Sequence, residues 1–342
     1  MLRQALRTTS TLLLFVFMLT PVLSRAQEPE ITVSSKAYKR QFKTMLQRAE
    51  EGDANAQNSV GGAFAMGDGV VEDDEAAYRW LRKAAEQGHA AAQYNLFLLS
   101  TQKRDSENTL EAPVKWLQRA ANQGVLQAQF RLAEFYRQSR VKHKKRRERA
   151  AMYYAMAAKQ GHASAQFYLG WCYDKGVGVT QNESKAARWY LKAAKKGQVD
   201  AQVNLAVNYI DGRGVQKSQA QARRWFLRAA QQNSAIAQYN LGKLSQARAS
   251  SRGNIIEAYV WTSLAAEQGL GAAIRERELL RSLISPSQLS RAQARVRRWS
   301  KINSDNAQFD LQLESRRSFP VTEPISGLEA LLPKKGKADS QR

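Results

Sequence analysis

The chain has little of the material from which disulfide or metal sites are made. Among 342 residues there is one cysteine, Cys172, and there are only three histidines. A single cysteine excludes an intramolecular disulfide and any multi-cysteine zinc or iron–sulfur site. With seven prolines and 43% apolar residues, the composition is that of an ordered chain with a buried core. We therefore expect a core-forming protein with no cofactor.

Acidic residues are also scarce, 30 against 53 basic ones, which gives a formal net charge of +23. The imbalance lies after residue 112, since residues 27–112 hold 14 acidic and 10 basic residues, but residues 113–342 hold 16 and 40. A basic surface is usually only solvated, but its field also steers anionic partners. An acidic protein, anionic lipid headgroups and a phosphate-bearing envelope polymer all fit. The densest run, predicted to be a loop, contains Arg140, Lys142, Lys144, Lys145, Arg146, Arg147 and Arg149.

Long hydrophobic runs are absent except for one near the N-terminus. Arg3 and Arg7 precede the apolar residues 11–23, and small residues then lead to a cleavage point after Ala26. This pattern is typical of a secretory signal peptide over residues 1–26 and is short for a spanning helix. An uncleaved signal anchor is the alternative. We expect export, with the periplasm favoured over release, no transmembrane segment after cleavage and no nucleic-acid partner.

A repeat of about 36 residues occupies the centre of the sequence. Each unit has an Ala-Gln pair, and each has an aromatic residue eight positions before a turn residue. Regular recurrence at this period indicates a solenoid of stacked units. The pairs are Ala56-Gln57, Ala92-Gln93, Ala128-Gln129, Ala165-Gln166, Ala201-Gln202 and Ala237-Gln238. The aromatic and turn residues are Trp80/Gly88, Trp116/Gly124, Tyr153/Gly161, Trp189/Gly197, Trp225/Asn233 and Trp261/Gly269.

The residues within a unit indicate two amphipathic helices. Apolar residues recur at spacings of three and four, and glycine at the turn suits the left-handed conformation that ends a helix. Asn233 replaces glycine at one turn, and asparagine is the next residue to tolerate that conformation. Gly-x-Gly-Val segments at 67–70, 176–179 and 212–215 are predicted to join the two helices of a unit. A lone helix pair cannot bury its apolar face, so stacking is the stable solution.

The best-formed unit is Gly161-His-Ala-Ser-Ala-Gln-Phe-Tyr-Leu-Gly-Trp-Cys-Tyr-Asp-Lys-Gly-Val-Gly-Val179, followed by Ala193-Ala194 and Gly197. It resembles the Sel1-like repeat, a relative of the tetratricopeptide repeat. The resemblance implies an all-α, right-handed superhelical solenoid of about six helix pairs over residues 53–269. Capping helices are expected within 27–52 and 270–303, and a flexible basic tail over 304–342. Ser285 before Pro286 is the predicted N-cap of the last helix.

No arrangement of residues indicates catalysis. Two Ser-x-x-Lys matches, at 100–103 and 139–142, are of the kind that chance produces in a Ser- and Lys-rich chain. His89 and His162 occupy the same position in different units, which indicates a repeat feature rather than a pair of metal ligands. Cys172 is predicted to be a small core residue. The chain is therefore not expected to be an enzyme.

The resemblance implies a concave groove lined by the residue before Leu-Gly of each first helix. Asparagine, frequent in this column, donates to and accepts from a peptide backbone, although it also bonds neighbouring helices. Trp171 and Lys243 are expected on the same face, one turn further along. The column itself reads Ser59, Asn95, Arg131, Tyr168, Asn204 and Asn240.

The function expected from these features is that of a non-enzymatic adaptor in a bacterial cell envelope, which assembles or regulates protein partners through the groove. Two alternatives stay open at this point. One is a secreted or surface factor that contacts a host. The other is an accessory protein or enzyme that binds an envelope polymer such as peptidoglycan.

Overall fold

The computed structural model describes residues 35–102, 111–138, 144–247 and 252–314. The predicted signal peptide and residues 315–342 of the predicted tail lie outside this part. Within it the chain forms fifteen helices and no strand. They are α1 (Ser35–Glu50), α2 (Ala54–Met66), α3 (Asp74–Glu86), α4 (Ala90–Gln102), α5 (Glu111–Asn122), α6 (Leu126–Gln138), α7 (Lys144–Lys159), α8 (Ala163–Lys175), α9 (Glu183–Lys195), α10 (Val199–Asp211), α11 (Gln219–Gln231), α12 (Ala235–Ala247), α13 (Arg252–Glu267), α14 (Gly271–Ser282) and α15 (Pro286–Glu314).

Helices α2 to α13 form six consecutive pairs, which confirms the all-α repeat solenoid. Each second helix packs against the first helix of its own unit and against the first helix of the next unit. First helices therefore line one side of the solenoid and second helices the other. We call these sides the first-helix face and the second-helix face. Small residues and leucines fill the space between the two layers, and paired alanines such as Ala84 and Ala85 are fully buried.

The turns between units confirm the glycine prediction. Among the described residues Asn233 is the only non-glycine with a positive φ, at 60°. It stands where the other units have glycines such as Gly88 and Gly161, both at φ 92°. The left-handed conformation is therefore a property of the turn rather than of one residue type.

The loops inside units need glycine for a second reason, which is close packing. Gly178 has φ 73°, and a Cβ atom there would lie 2.1 Å from the carbonyl oxygen of Arg147. At Gly214 the same construction meets the carbonyl oxygen of Glu183, also at 2.1 Å. In units four and five the loop thus rests directly on the start of the preceding second helix, which leaves no room for a side chain.

Buried glutamines connect successive units. The glutamine of the Ala-Gln pair donates from Nε2 to an alanine carbonyl at the end of the preceding second helix, as Gln93 does to Ala85 at 3.2 Å. Because a buried amide without partners is costly, these bonds fix how each of the first five units sits on the helix before it, whereas Gln238 of the sixth unit donates to Oδ1 of Asn233 at 3.4 Å. Gln57, Gln93, Gln129, Gln166 and Gln202 all make this bond, at 3.0–3.2 Å.

A second glutamine completes the pattern in five of the six units. It ends the second helix and donates to Oε1 of the buried glutamine in its own unit, as Gln160 does to Gln129 at 2.8 Å. In the fourth unit this position is Lys196, whose Nζ donates instead to the Gly161 carbonyl. Oε1 of Gln166 is consequently buried without a partner among the described residues. The second glutamines are Gln87, Gln123, Gln160, Gln232 and Gln268.

Helices close both ends of the array. Phe42 of α1 meets Phe64 edge to face with ring centroids 5.4 Å apart. At the other end α15 packs on α13, where Trp299 meets Trp261 at 4.9 Å. The predicted N-cap is confirmed, because the Ser285 hydroxyl accepts the Gln288 N–H while the Gln288 side chain accepts the Ser285 N–H.

Two predicted boundaries are wrong. Helix α15 continues to Glu314, so the segment 304–314 is helical rather than tail, because neither glycine nor proline follows Pro286 before residue 320. The basic run is also not all loop, since α7 begins at Lys144. Lys, Arg and Glu are good helix formers, and this propensity outweighs the unfavourable placement of cations at a helix N-terminus. Lys144, Lys145, Arg146, Arg147 and Arg149 are helical, whereas Arg140 and Lys142 lie outside the described residues.

Candidate partner-binding face

The first-helix face of units three and four carries an aromatic cluster. Tyr168 is half-buried and stacks on Tyr154, with ring centroids 5.0 Å apart and an interplanar angle of 19°. Phe130 lies 6.3 Å from Tyr168 and stacks on His162 at 4.2 Å. Trp171, one turn along α8, is also half-buried and packs against both main core clusters. The structure therefore brings the predicted Tyr168 and Trp171 together on one helix, over a rigid floor.

A polar network beneath Tyr168 holds this cluster in place. The Tyr154 hydroxyl donates to the Glu134 carboxylate, which also accepts two bonds from Arg137, at 2.6 and 3.1 Å. The Arg137 guanidinium lies 5.0 Å from the centroid of the Tyr168 ring. Burial, reinforced by the nearby Glu134 carboxylate, holds the pKa of Tyr154 well above its usual value, so the phenol remains a donor. Phe130, Glu134 and Arg137 were not predicted as site residues.

Sequence did carry a signal for this network. The residue after the aromatic of each second helix is Leu81 and Leu117 in the first two units but Tyr154 and Tyr190 in the next two. A hydroxyl in a column of buried leucines needs a polar partner. The two tyrosines therefore distinguish units three and four from the first two units, whereas the last two units have Phe226 and Thr262 at this position.

Other predicted groove residues bond to neighbouring helices. Asn95 is buried, and its amide donates to Asn58 of the preceding unit at 3.0 Å. Its side chain is therefore not available to a partner. Half-buried Arg131 donates from Nε to the Tyr94 hydroxyl at 2.9 Å, which orients its guanidinium.

The sixth unit holds the last two predicted residues. Asn240 is half-buried and donates to the Ile236 carbonyl of its own helix at 2.8 Å. Lys243 is exposed and pairs with Glu276 of α14 at 3.3 Å. These two side chains are therefore engaged in local contacts at the end of the face.

Unsatisfied polar atoms gather where α8, α9 and α10 meet. Asn204, half-buried on the face, lies beside the Tyr190 phenol, whose pKa is raised by burial and by the nearby Asp174. The Tyr190 hydroxyl and Nδ2 of Asn208 are buried without a partner in hydrogen-bond geometry among the described residues. Buried polar groups of this kind usually bind an ordered water or a ligand group. Buried polar atoms without hydrogen-bond partners are therefore a feature of this junction.

The charge of this face is close to neutral. Helices α6, α8 and α10 together carry three basic and four acidic residues. The groove itself is therefore not the origin of the chain's positive field.

The remaining reactive side chains have structural roles. Nδ1 of His162 accepts the N–H of Ala165 at 3.2 Å, and His89 caps its helix in the same way at 3.0 Å. Burial raises the pKa of the Cys172 thiol to about 12, so the thiolate is scarcely populated at neutral pH. In the described segments, no three His, Cys, Asp or Glu residues are grouped so as to hold a metal ion. No described helix has both the length and the apolar character that a membrane span requires.

Comparison with known proteins decides the family. The model of the Sel1 repeat matches residues 54–89, 114–125, 126–162, 163–198, 199–234 and 235–270. The chain belongs to the Sel1 repeat family. Sel1 repeat proteins generally mediate protein–protein interaction, and their solenoid is typically a non-catalytic scaffold. Among curated proteins no match was found.

Two solved Sel1 repeat structures are similar to this chain. One is c5321, a protective antigen present in uropathogenic Escherichia coli strains, with 26% identity over 85% of this chain and a TM-score of 0.62. The chain spans 61% of the length of that antigen. The other is a Sel1 repeat protein from Oxalobacter formigenes, with 27% identity and a TM-score of 0.52. That match covers 68% of this chain and 93% of the other. Both support the repeat solenoid.

Proposed function

We propose that the protein is an envelope adaptor which captures a peptide segment of a partner protein on the first-helix face of units three to five. The observation that carries this proposal is the half-buried pair of Tyr168 and Trp171 on a rigid, hydrogen-bonded floor. Aromatic side chains held in fixed positions are the residues that dominate protein recognition. A half-buried indole that is already ordered loses little conformational entropy when a partner covers it.

The chemistry of the face suits an extended segment with apolar and acidic residues. Trp171 and Tyr168 offer apolar area, and Arg131 and Arg137 offer guanidinium groups held by Tyr94 and Glu134. Asn204 next to the unsatisfied junction offers amide donors and acceptors for a peptide backbone. The near-neutral charge of the first helices favours recognition by shape and hydrogen bonding over attraction to a polyanion.

A selected peptide tests this proposal. Dodecapeptides chosen from a random phage-displayed library on the unmodified protein are synthesised, and their affinities are measured by fluorescence polarisation. We expect the Trp171→Ala/Asn204→Ala variant to bind about 30-fold more weakly, as removal of about 2 kcal/mol of hot-spot contact implies.

The matched control is Tyr78→Ala/Arg79→Ala, which removes an aromatic and a polar residue from the second-helix face, where both are exposed. It should leave the affinity unchanged, and circular dichroism should show that both variants remain folded. Equal binding by Trp171→Ala/Asn204→Ala and the unmodified protein would refute the assignment of this face.

Export is part of the proposal and rests on the pattern of residues 1–26. We expect the protein recovered from the periplasmic fraction of the bacterium that produces it to begin at Gln27. Recovery of the uncut chain in the cytoplasm would contradict an envelope role.

A surface-exposed, host-contacting role is the second candidate. It is favoured by the likeness to a protective antigen, which shares 26% identity with this chain. Antibody labelling of intact cells distinguishes the two, because a periplasmic adaptor is labelled only after the outer membrane is permeabilised.

A further inference from the structure

In units three to five the positive charge lies on the second helices, on the side of the solenoid opposite the predicted groove. Second helices α7, α9 and α11 together carry thirteen basic and two acidic residues. The first helices of the same three units carry three basic and four acidic residues. Since the two sets line opposite faces, the basic field points away from the predicted groove. A partner attracted by this field would meet the second-helix face.

Several exposed arginines on this face lack, among the described residues, the acidic partners that usually neutralise a solvated surface. Arg223 is paired with Glu257 at 2.6 Å. Exposed Arg147, Arg188 and Arg224 have no carboxylate partner within the described residues. Surfaces selected only for solubility intersperse both signs, whereas a single-sign surface attracts and binds the opposite charge.

The first unit shows what the same positions look like when they are neutralised. Arg79 stands one residue before the aromatic of α3, as Arg188 and Arg224 do on α9 and α11. There Arg79 lies 3.9 Å from Glu75, and Arg82 lies 2.7 Å from Glu86 on the same helix. Units four and five keep the cation and omit these carboxylates, so their charge is not a by-product of the repeat pattern.

The cations form two rows that cross from helix to helix. Arg188 and Arg224 make one row. Lys192 and Arg228, each over the tryptophan of its own helix at 4.2 and 4.6 Å, make the other. Together with Arg147 of α7, these cations lie on three successive second helices, so they extend across three units of the solenoid. A ligand that meets all of them must carry several anionic groups along its length.

From this geometry we infer that the second-helix face of units three to five binds a linear polymer that carries phosphate groups along its backbone. Arginine suits phosphate because its guanidinium donates two parallel hydrogen bonds. The tryptophans of α9 and α11 are covered by Lys192 and Arg228, so bases of a nucleic acid find no open ring on which to stack. Among the exposed large hydrophobic residues only Met152 lies on these three helices, which leaves the face without the apolar anchors of a membrane-binding helix.

Inorganic polyphosphate is the probe that tests this inference, with affinity measured by fluorescence anisotropy at several salt concentrations. If about six phosphates are contacted, the affinity should fall about 300-fold between 50 and 200 mM salt, as counterion release on single strands implies. The variant Arg147→Gln/Arg188→Gln/Arg224→Gln removes one cation from each helix. It should reduce the slope of log affinity against log salt by about 2.

The control Arg79→Gln/Arg82→Gln/Lys83→Gln makes the same change in net charge on the first unit and should leave the slope unaltered. An equal effect of both variants would show that only net charge matters and would overturn the inference. Tighter binding to vesicles with 30% phosphatidylglycerol, to polyglutamate or, by tenfold, to oligothymidylate would overturn it as well. Peptide binding by the first-helix face should be unchanged in both variants, so failure here is distinguishable from failure of the proposed function.

Discussion

Replacement of Lys196 by glutamine should stabilise the protein, because this lysine interrupts the glutamine network in the fourth unit. In the five other units a glutamine at this position donates to Oε1 of the buried glutamine 30 or 31 residues earlier, at 2.7–2.9 Å. In the fourth unit Oε1 of Gln166 is buried and unpartnered. An unsatisfied buried acceptor costs about 1–3 kcal/mol.

The expected gain is about 1 kcal/mol in the free energy of unfolding. Lys196→Gln supplies the missing donor and can keep the bond to the Gly161 carbonyl, as Gln160 does to the Gly124 carbonyl at 2.9 Å. For an array of this size 1 kcal/mol corresponds to a rise of about 2–3 °C in Tm. Differential scanning calorimetry and urea unfolding measure both quantities.

The reciprocal variant makes the test specific. Gln160→Lys should leave Oε1 of Gln129 buried and unpaired and should lower the stability by about 1–2 kcal/mol. The variant Gln138→Lys controls for the added charge, because Gln138 is exposed and does not bond to a buried glutamine. If Lys196→Gln is neutral or destabilising while Gln160→Lys is tolerated, the glutamine network does not hold the units together.

Three further predictions follow from single contacts. Gly178→Ala should cost at least 2 kcal/mol in urea unfolding, because its Cβ would meet the Arg147 carbonyl; Gly88→Ala, with no atom within 4 Å, should cost only the roughly 1 kcal/mol of left-handed strain. Cys172 should resist iodoacetamide at pH 8 in the folded protein and react in urea; its folded pKa of about 12 lies above the unfolded value near 9, so its contribution to stability is full below pH 9 and is lost as pH rises. Burial lowers the folded pKa of His162 below its usual 6.5, so the contribution of His162 to the free energy of unfolding is full above about pH 6.5 and is lost as pH falls. His162→Asn, which keeps an N-cap, should therefore reduce the change in urea midpoint between pH 7.5 and pH 5. An unchanged pH dependence would assign that change to other groups.

The fold was predictable from sequence because every unit repeats the same solution. Asn233 is the clearest case, since its placement in a column of glycines predicted a left-handed residue, and its φ is 60°. The Ala-Gln pairs were visible in the sequence as a regular repeat, but their hydrogen bonds were not predicted. Only the fold shows that Gln93 reaches back to Ala85 and forward to Gln123.

What the sequence did not predict belongs to individual units. The sequence indicated that the Tyr154 hydroxyl needs a polar partner, but only the structure shows that Glu134 of the neighbouring helix is that partner. The direction of the basic field depends on which helices line each face of the solenoid. Counting charged residues along the sequence does not give that arrangement. The helix that begins at Lys144 reflects the helix propensity of the local residues. The basic run was predicted to be a loop because other units have a glycine-containing loop at this position.

In-cell photo-crosslinking from single positions tests the central claim most directly. A photoreactive amino acid replaces Val207, half-buried on α10 of the first-helix face, or Arg224 on the second-helix face. Capture of a peptide segment on the first-helix face predicts a discrete protein adduct from position 207 that disappears when Trp171→Ala/Asn204→Ala is added. Protein adducts from position 224 alone, or an adduct at 207 that survives the double variant, would contradict the account.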